Sequence, residues 1–409
     1  MNVLRRIASF YLDAFRGLPR LVWQLSLGLL VNRAGTMVLP FLGLYLVQEL
    51  EFSTRATSAV LFAFGLGSVV GSYLGGVLVG RFTSTQVQLA SLVLAGLGFL
   101  GLSRLDSLPA LVVGVFVVGA VADAYRPACM TAIVEASPLE VQARCMGLMR
   151  LAANSGMAIG PALGGWLATI DYRLIFIGDG LTCLVAAAWL YRVLRKPSAS
   201  TVAPPERSSS TAGSLWRDGR FLSLLGVIFF AALVLFQIFG ALPLYLAVDY
   251  RLNEGQIGLV FAFNALLIVV FEMVLIKLLE RRNPGMVLAM GLFLMCFGFS
   301  LLPLGDSLMF AACTVVVWTL GEMLAFPFSN ILVAKLAGPA RTGRAMGMYT
   351  AMFAVASVVA PVAGLQTLDR YGGDVLWMAA GVLGLLVGIL TAALARSFEP
   401  GPRRAGSEA

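Results

Sequence analysis

The sequence predicts an all-α membrane protein, with twelve transmembrane helices in two pseudo-symmetric six-helix bundles. Three observations predict it. Of the 409 residues, 59% are hydrophobic and only 12% charged, and the mean hydropathy of +0.90 leaves too little polar surface for a water-soluble domain. Apolar runs of membrane length recur along the whole chain, and in hydrocarbon the backbone groups of each run must pair within it, as a helix does. The second half also repeats the first at an offset of 200 residues. Leu44-Tyr45-Leu46 match Leu244-Tyr245-Leu246, Pro127 matches Pro327, and Arg144, Met146 and Gly147 match Arg344, Met346 and Gly347; Pro161 and Gly164 return as Pro361 and Gly364.

In chain order, residues 1–20 place Val3, Leu4, Ile7, Tyr11, Phe15 and Leu18 on one helical face, opposite Arg5, Arg6, Ser9, Asp13 and Arg16. This is the pattern of a cytoplasmic segment lying along a membrane surface. The first bundle, 21–195, holds runs near 21–48, 55–80, 85–104, 108–136, 139–169 and 172–195. A cytoplasmic linker, 196–219, follows; its Lys196–Ser214 portion is rich in Pro, Ser and Thr and too polar to bury. The second bundle, 220–396, holds runs near 220–248, 255–280, 285–303, 307–336, 341–368 and 375–396, and 397–409 form a cytoplasmic tail. Two related bundles that rock against each other expose a central cavity to each side in turn, which is how a secondary transporter works.

Most of the 29 basic residues fall on the side holding both termini and the linker, whereas only Arg55, Arg104, Arg173, Arg251 and Arg370 occupy the opposite loops. Both termini are therefore expected in the cytoplasm, with the chain in the plasma membrane, a bacterial inner membrane given the compact loops. The net charge of +8 follows from this sorting and does not indicate nucleic acid. Cys129, Cys145, Cys183, Cys296 and Cys313 lie in or beside apolar runs without C-x-x-C spacing, so no disulfide framework and no metal site are expected. The chain has no histidine, so proton chemistry falls to carboxylates. Neither a phosphate-binding Gly-Lys loop nor a catalytic triad is present; the chain reads as neither an ATP-driven pump nor an enzyme, and no cofactor is expected.

The fifth run reads Gly147, eight residues, Gly156, three residues, Gly160-Pro161, two residues, Gly164-Gly165. Gly156, Gly160 and Gly164 make one narrow stripe that admits a neighbouring backbone, while Pro161 removes an internal hydrogen bond. With twelve runs in two related halves over about 21–396, this spacing resembles the major facilitator superfamily, and matches the fifth-span signature of its drug:proton antiporters. That family's cytoplasmic latch motif is degraded here. Gly76 and Arg81 remain, but Gly80 stands where the aspartate would be, whereas Glu280-Arg281 keeps an acid in the second half; Arg144 and Arg344 complete the expected asymmetric latch.

Ionisable residues inside spans are costly and are functional candidates by default. Asn32 and Arg33 sit about 18 Å into the first run at roughly 1.5 Å per residue, and the guanidinium cannot shed its charge. Arg33 must face a cavity or an acid. Asp123 and Arg126 are three residues apart, close enough to pair on one helix face. Glu322, in the tenth run, lies one residue from the duplicate of Asp123, and its TLGE context resembles multidrug members of the family. Glu272 is a further acid, Glu135 lies near the cytoplasmic end of the fourth run, and Asp179 reads as structural.

The resemblance implies a proton-coupled antiporter that exports small hydrophobic or cationic compounds, acting as a monomer with protons and the bilayer as partners. Glu322 is its expected proton carrier and Asp123 or Glu272 the alternatives, with Arg33 and Arg126 tuning the acids. Two other readings stand beside it. One is a carrier for a specific metabolite or organic anion held by Arg33 and Arg126; the other is a non-transporting membrane sensor or scaffold.

Overall fold

A computed structural model describes residues 16–79, 81–138, 141–194, 215–279, 281–337 and 342–395. The N-terminal surface segment before Arg16, most of the linker, the tail, Gly80, Glu280 and the side chain of Arg344 lie outside the described residues. The regular structure described is helical throughout. In order it comprises α1 (Arg20–Ala34), α2 (Val38–Leu44) with a π turn (Tyr45–Glu49), α3 (Thr54–Val79), α4 (Ser84–Leu102), α5 (Leu108–Glu135), α6 (Gln142–Ala168) and α7 (Arg173–Leu194). There follow α8 (Gly219–Leu235), α9 (Ala241–Val248), α10 (Glu254–Leu279), α11 (Pro284–Ser300), α12 (Leu308–Ala337) and α13 (Thr342–Leu394).

Among the described residues, ten helical stretches are long and apolar enough to cross a membrane, the first extending from Arg20 to Glu49. The last, Ala345–Leu394, spans 50 residues, about 75 Å at the helical rise against a hydrocarbon core of about 30 Å. It must therefore turn. It does so at Gly372, whose φ of 82° and ψ of 170° leave the helical region and suit a residue without a side chain. That makes two passes of one stretch. Helix α6 is less apolar but has 27 residues, about 40 Å of helix, and completes twelve passes.

Local chemistry sets several starts. Thr83 caps α4 in a reciprocal capping box with Gln86. The side chains of Asp218 and Asn283 accept the first backbone N–H groups of α8 and α11, and Pro284 opens α11 where no donor is needed.

By packing, the chain divides into two compact units. One comprises 1–205 with 238–269, the other 206–237 with 270–409. In the first, α3 crosses α5 with almost no space between backbones: a side chain on Gly71 would run into the Ala120 carbonyl, and one on Gly75 would come within 2.8 Å of Ala124 Cα. The segment 238–269 belongs to this unit through the start of α10, where Gly258 abuts the Pro161 carbonyl and Phe261 meets Phe41 edge-on at 6.5 Å. In the second unit, α11 and α12 touch where Gly291 and Gly321 face each other, and Phe299 stacks between Trp318 at 4.9 Å and Trp377 at 5.7 Å.

The duplication is visible in the packing within each unit. Gly164 lies against Met37 in the first, and Gly364 lies against Gln237 in the second, so both members of each pair are related by the same offset.

Candidate functional site

The site begins with a break in the first span. Helix α1 ends at Ala34 and α2 begins at Val38; the N–H groups of Gly35, Thr36 and Met37 turn to nearby carbonyls, and that of Val38 needs an acceptor from elsewhere. Asp179 of α7 supplies the acceptor. One carboxylate oxygen takes the Val38 N–H at 2.9 Å and the other the Met37 N–H at 3.4 Å, in a side chain only 5% exposed. Thr182, one turn further along α7, fills the space over Gly35, where any side chain would collide with it.

That break opens onto a cavity of about 100 Å³. Its polar lining comes from Asn32, Arg33 and Thr36 beside the break, Ser91 of α4, Asp123 and Tyr125 of α5, and Asp179 and Cys183 of α7; Leu39, Phe64 and Phe99 supply apolar wall. Asn32 donates to the Cys183 sulfur at 3.5 Å, and Ser91 donates to the Val121 carbonyl. Among the described residues, Arg33 forms no ion pair with a carboxylate. It faces the cavity, and its charge is felt by Asp179, Tyr125 and Cys183 around it.

The glycine stripe of α6 holds Arg33 in place. A side chain on Gly156 would approach Arg33 Cβ at 2.5 Å and the Leu30 carbonyl at 2.7 Å, and one on Gly160 would meet the Thr36 carbonyl at 2.9 Å. Gly164 sits on Met37. The next residue, Gly165, faces the other way, onto the Glu254 carbonyl and Gly258 at the start of α10. The signature thus packs one face of α6 on the broken first span and the other on α10.

The residues singled out from sequence distribute unevenly. Asn32, Arg33 and Asp123 converge on one cavity. Arg126, one helical turn beyond Asp123, interacts electrostatically with Asp123 and Arg33 but is exposed and does not line the cavity, and Asp123 and Arg126 form no ion pair. Glu272 and Glu322 belong to the second unit, Glu272 buried and Glu322 half-buried. Of the latch residues, Gly76, Arg81 and Arg281 are exposed, while Arg144 donates to the Arg16 carbonyl at 2.5 Å. A further contact is one the sequence did not disclose. Ser84 donates to the Glu135 carboxylate at 2.6 Å, tying α4 to α5. Ser91, Tyr125 and Cys183 also went unmarked, because such residues fill helix interfaces everywhere and carry no periodic signal.

A family description, Major Facilitator Superfamily, matches residues 25–361. The chain belongs to the major facilitator superfamily. It is a multi-pass membrane transporter with small-molecule substrates. Among relatives, it is 26% identical over 390 residues to the uncharacterized transporter YttB of Bacillus subtilis, covering 92% of this chain and 95% of that one. To the multidrug resistance protein MdtH of Citrobacter koseri it is 23% identical over 363 residues, covering 86% and 88%. Its fold matches a crystal structure of the peptide transporter POT in complex with sulfate, with a TM-score of 0.80 over 94% of this chain and 96% of that chain, at 15% identity. In this major facilitator chain, the cavity at the broken first span is the candidate site for substrate.

Proposed function

We propose that the chain is a proton-coupled antiporter of a bacterial inner membrane, both termini cytoplasmic, that exports small hydrophobic or cationic compounds by alternating access. It works as a monomer, its two six-helix bundles being 21–195 and 220–396. The observation that carries this reading is Asp123 in a cavity shared with the unpaired guanidinium of Arg33 and bounded by the antiporter glycine stripe. A carboxylate facing a small chamber attracts a lipophilic cation; once protonated it no longer does, and the cation leaves. The name carried by the MdtH relatives supports export of multiple compounds. Glu322 and Glu272 remain candidates for a second proton site.

Asp123→Asn is expected to fold normally and to lose proton-driven efflux of lipophilic cations in proteoliposomes by about tenfold or more, since neither a charge nor a titratable group remains. Efflux at the wild-type rate with proton counterflow intact would remove Asp123 from the mechanism. A second reading, a carrier for an organic anion, is favoured by Arg33 itself. In the same assay it requires anion flux that collapses in Arg33→Gln while Asp123→Asn retains it.

A further inference from the structure

At the end of the first unit where α6 gives way to α7, three elements meet around one phenol. Tyr172, in the link between α6 and α7, is buried against Tyr45 at 5.9 Å, and Tyr45 in turn stands edge-on to Phe176 at 5.2 Å. Its hydroxyl lies 2.8 Å from Oε1 of Gln48, at the end of the first span, and 2.7 Å from Oε1 of Glu254, which opens α10. Close by, Gly165 packs directly on the α10 backbone at Glu254 and Gly258.

A phenol has one proton, and two acceptors cannot both receive it. The cluster is complete in two ways. With Glu254 ionised, Tyr172 donates to the carboxylate and Gln48 turns its amide to donate to Tyr172. With Glu254 protonated, the acid donates to Tyr172, which donates to the Gln48 carbonyl. Only the first contains a charge-assisted bond, the stronger kind. Burial, and then the bond to Glu254, push the Tyr172 phenol above its ordinary value, so it stays a donor throughout the physiological range. Glu254 is half-buried and Gln48 exposed, so solvent protons reach the cluster.

We propose that Glu254, Tyr172 and Gln48 form an extracellular latch that external protons loosen, holding the α6 end against α10 while Glu254 is ionised and releasing it when Glu254 is protonated. The proposal rests on the orientation and proton coupling proposed above. It adds a control on access that the cavity residues do not supply. The other charges facing the cluster are Glu49 on the π turn, which acts on Tyr172, and Asp171, Arg173 and Asp106, which act on the neighbouring Tyr45; Arg173 and Asp106 pair at 3.6 Å on the exposed surface. Arg251 precedes Glu254 on its own segment. None of these makes the short contact to Tyr172 that Glu254 makes.

Cys183 is a built-in reporter, because it lines the cavity and is buried. The test uses full-length protein in liposomes with the other four cysteines replaced, labelled by a membrane-impermeant maleimide added outside. Every rate is compared with the parent at the same pH, which cancels the thiol's own titration. Tyr172→Phe keeps the ring and removes one oxygen, and is expected to raise labelling at neutral pH by about tenfold. Glu254→Gln is expected to label fast at every pH, so that its excess over the parent shrinks as the outside is acidified.

Parent-like labelling of both variants would overturn the latch. A constant ratio of Glu254→Gln to parent across pH would overturn its control by protons, and protection seen only against reagent added from the other side would overturn its external position. No substrate enters the assay, so a failure of antiport leaves the result readable, and matched melting temperatures in detergent separate opening from misfolding.

Discussion

Asp179 is a charge that makes a defect in the first span tolerable. Breaking a helix inside a membrane exposes backbone donors that water cannot reach, and each costs several kcal/mol if left alone. The two carboxylate oxygens of Asp179 take one donor each, at Met37 and Val38. Asp179→Leu keeps roughly the size and strands the Val38 donor, while the Met37 N–H keeps the Gly35 carbonyl at 2.7 Å, so it is expected to destabilise the protein by about 2 kcal/mol, read as a lower melting temperature in detergent. Asp179→Asn keeps one acceptor and should lie between the two. Equal melting of all three would mean that the break is satisfied some other way. The acid was conspicuous in the sequence because charges are rare in such runs. Its partners were not, because a backbone donor leaves no mark in the sequence.

The glycine stripe was legible as an element but not in its effect. Spacing by four announces one face of a helix, and the family pattern announces which helix. What the spacing does not give is the neighbour: Gly156 and Gly160 press on the turn that carries Arg33, so the stripe sets the position of the cavity's guanidinium. The second half shows the same device with different residues. Ala356 and Ala360 replace the first two glycines, and Gly364 is kept because Gln237 lies across it, donating to the Ala360 carbonyl at 2.9 Å. Gly160→Leu must push α1 away, since its first new atom would meet the Thr36 and Arg33 carbonyls at 2.9 and 3.1 Å. Overpacking of this kind costs about 1–3 kcal/mol. The expected outcome is a stable but inactive protein whose Cys183 reacts with maleimide at a changed rate. Unaltered transport and labelling would mean that the contact is not close in the working protein.

At the scale of the whole molecule, the architecture follows from the offset of 200 residues and from hydrophobicity, which act on every residue and so survive in any single sequence. The site's chemistry rests on a few side chains, and here the sequence ranked Glu322 first, on its place beside the duplicate of Asp123 and on its motif context. The cavity instead offers Asp123, and the two choices differ in a quantity that only the intact transporter displays, the charge moved per cycle. If Asp123 is the sole proton carrier, one proton enters for each monovalent cation that leaves, and the exchange is electroneutral. A pH gradient then drives it with about 1.4 kcal/mol per unit, while a membrane potential, worth about 2.3 kcal/mol per charge per 100 mV, has nothing to act on. If a second acid such as Glu322 or Glu272 also loads a proton, each cycle carries a net positive charge inward and the potential alone drives export. Proteoliposomes clamped by potassium and valinomycin distinguish the cases. The expected result is efflux of a monovalent cation that follows the pH gradient and ignores the potential, and efflux driven by the potential alone would assign a second carboxyl to the cycle.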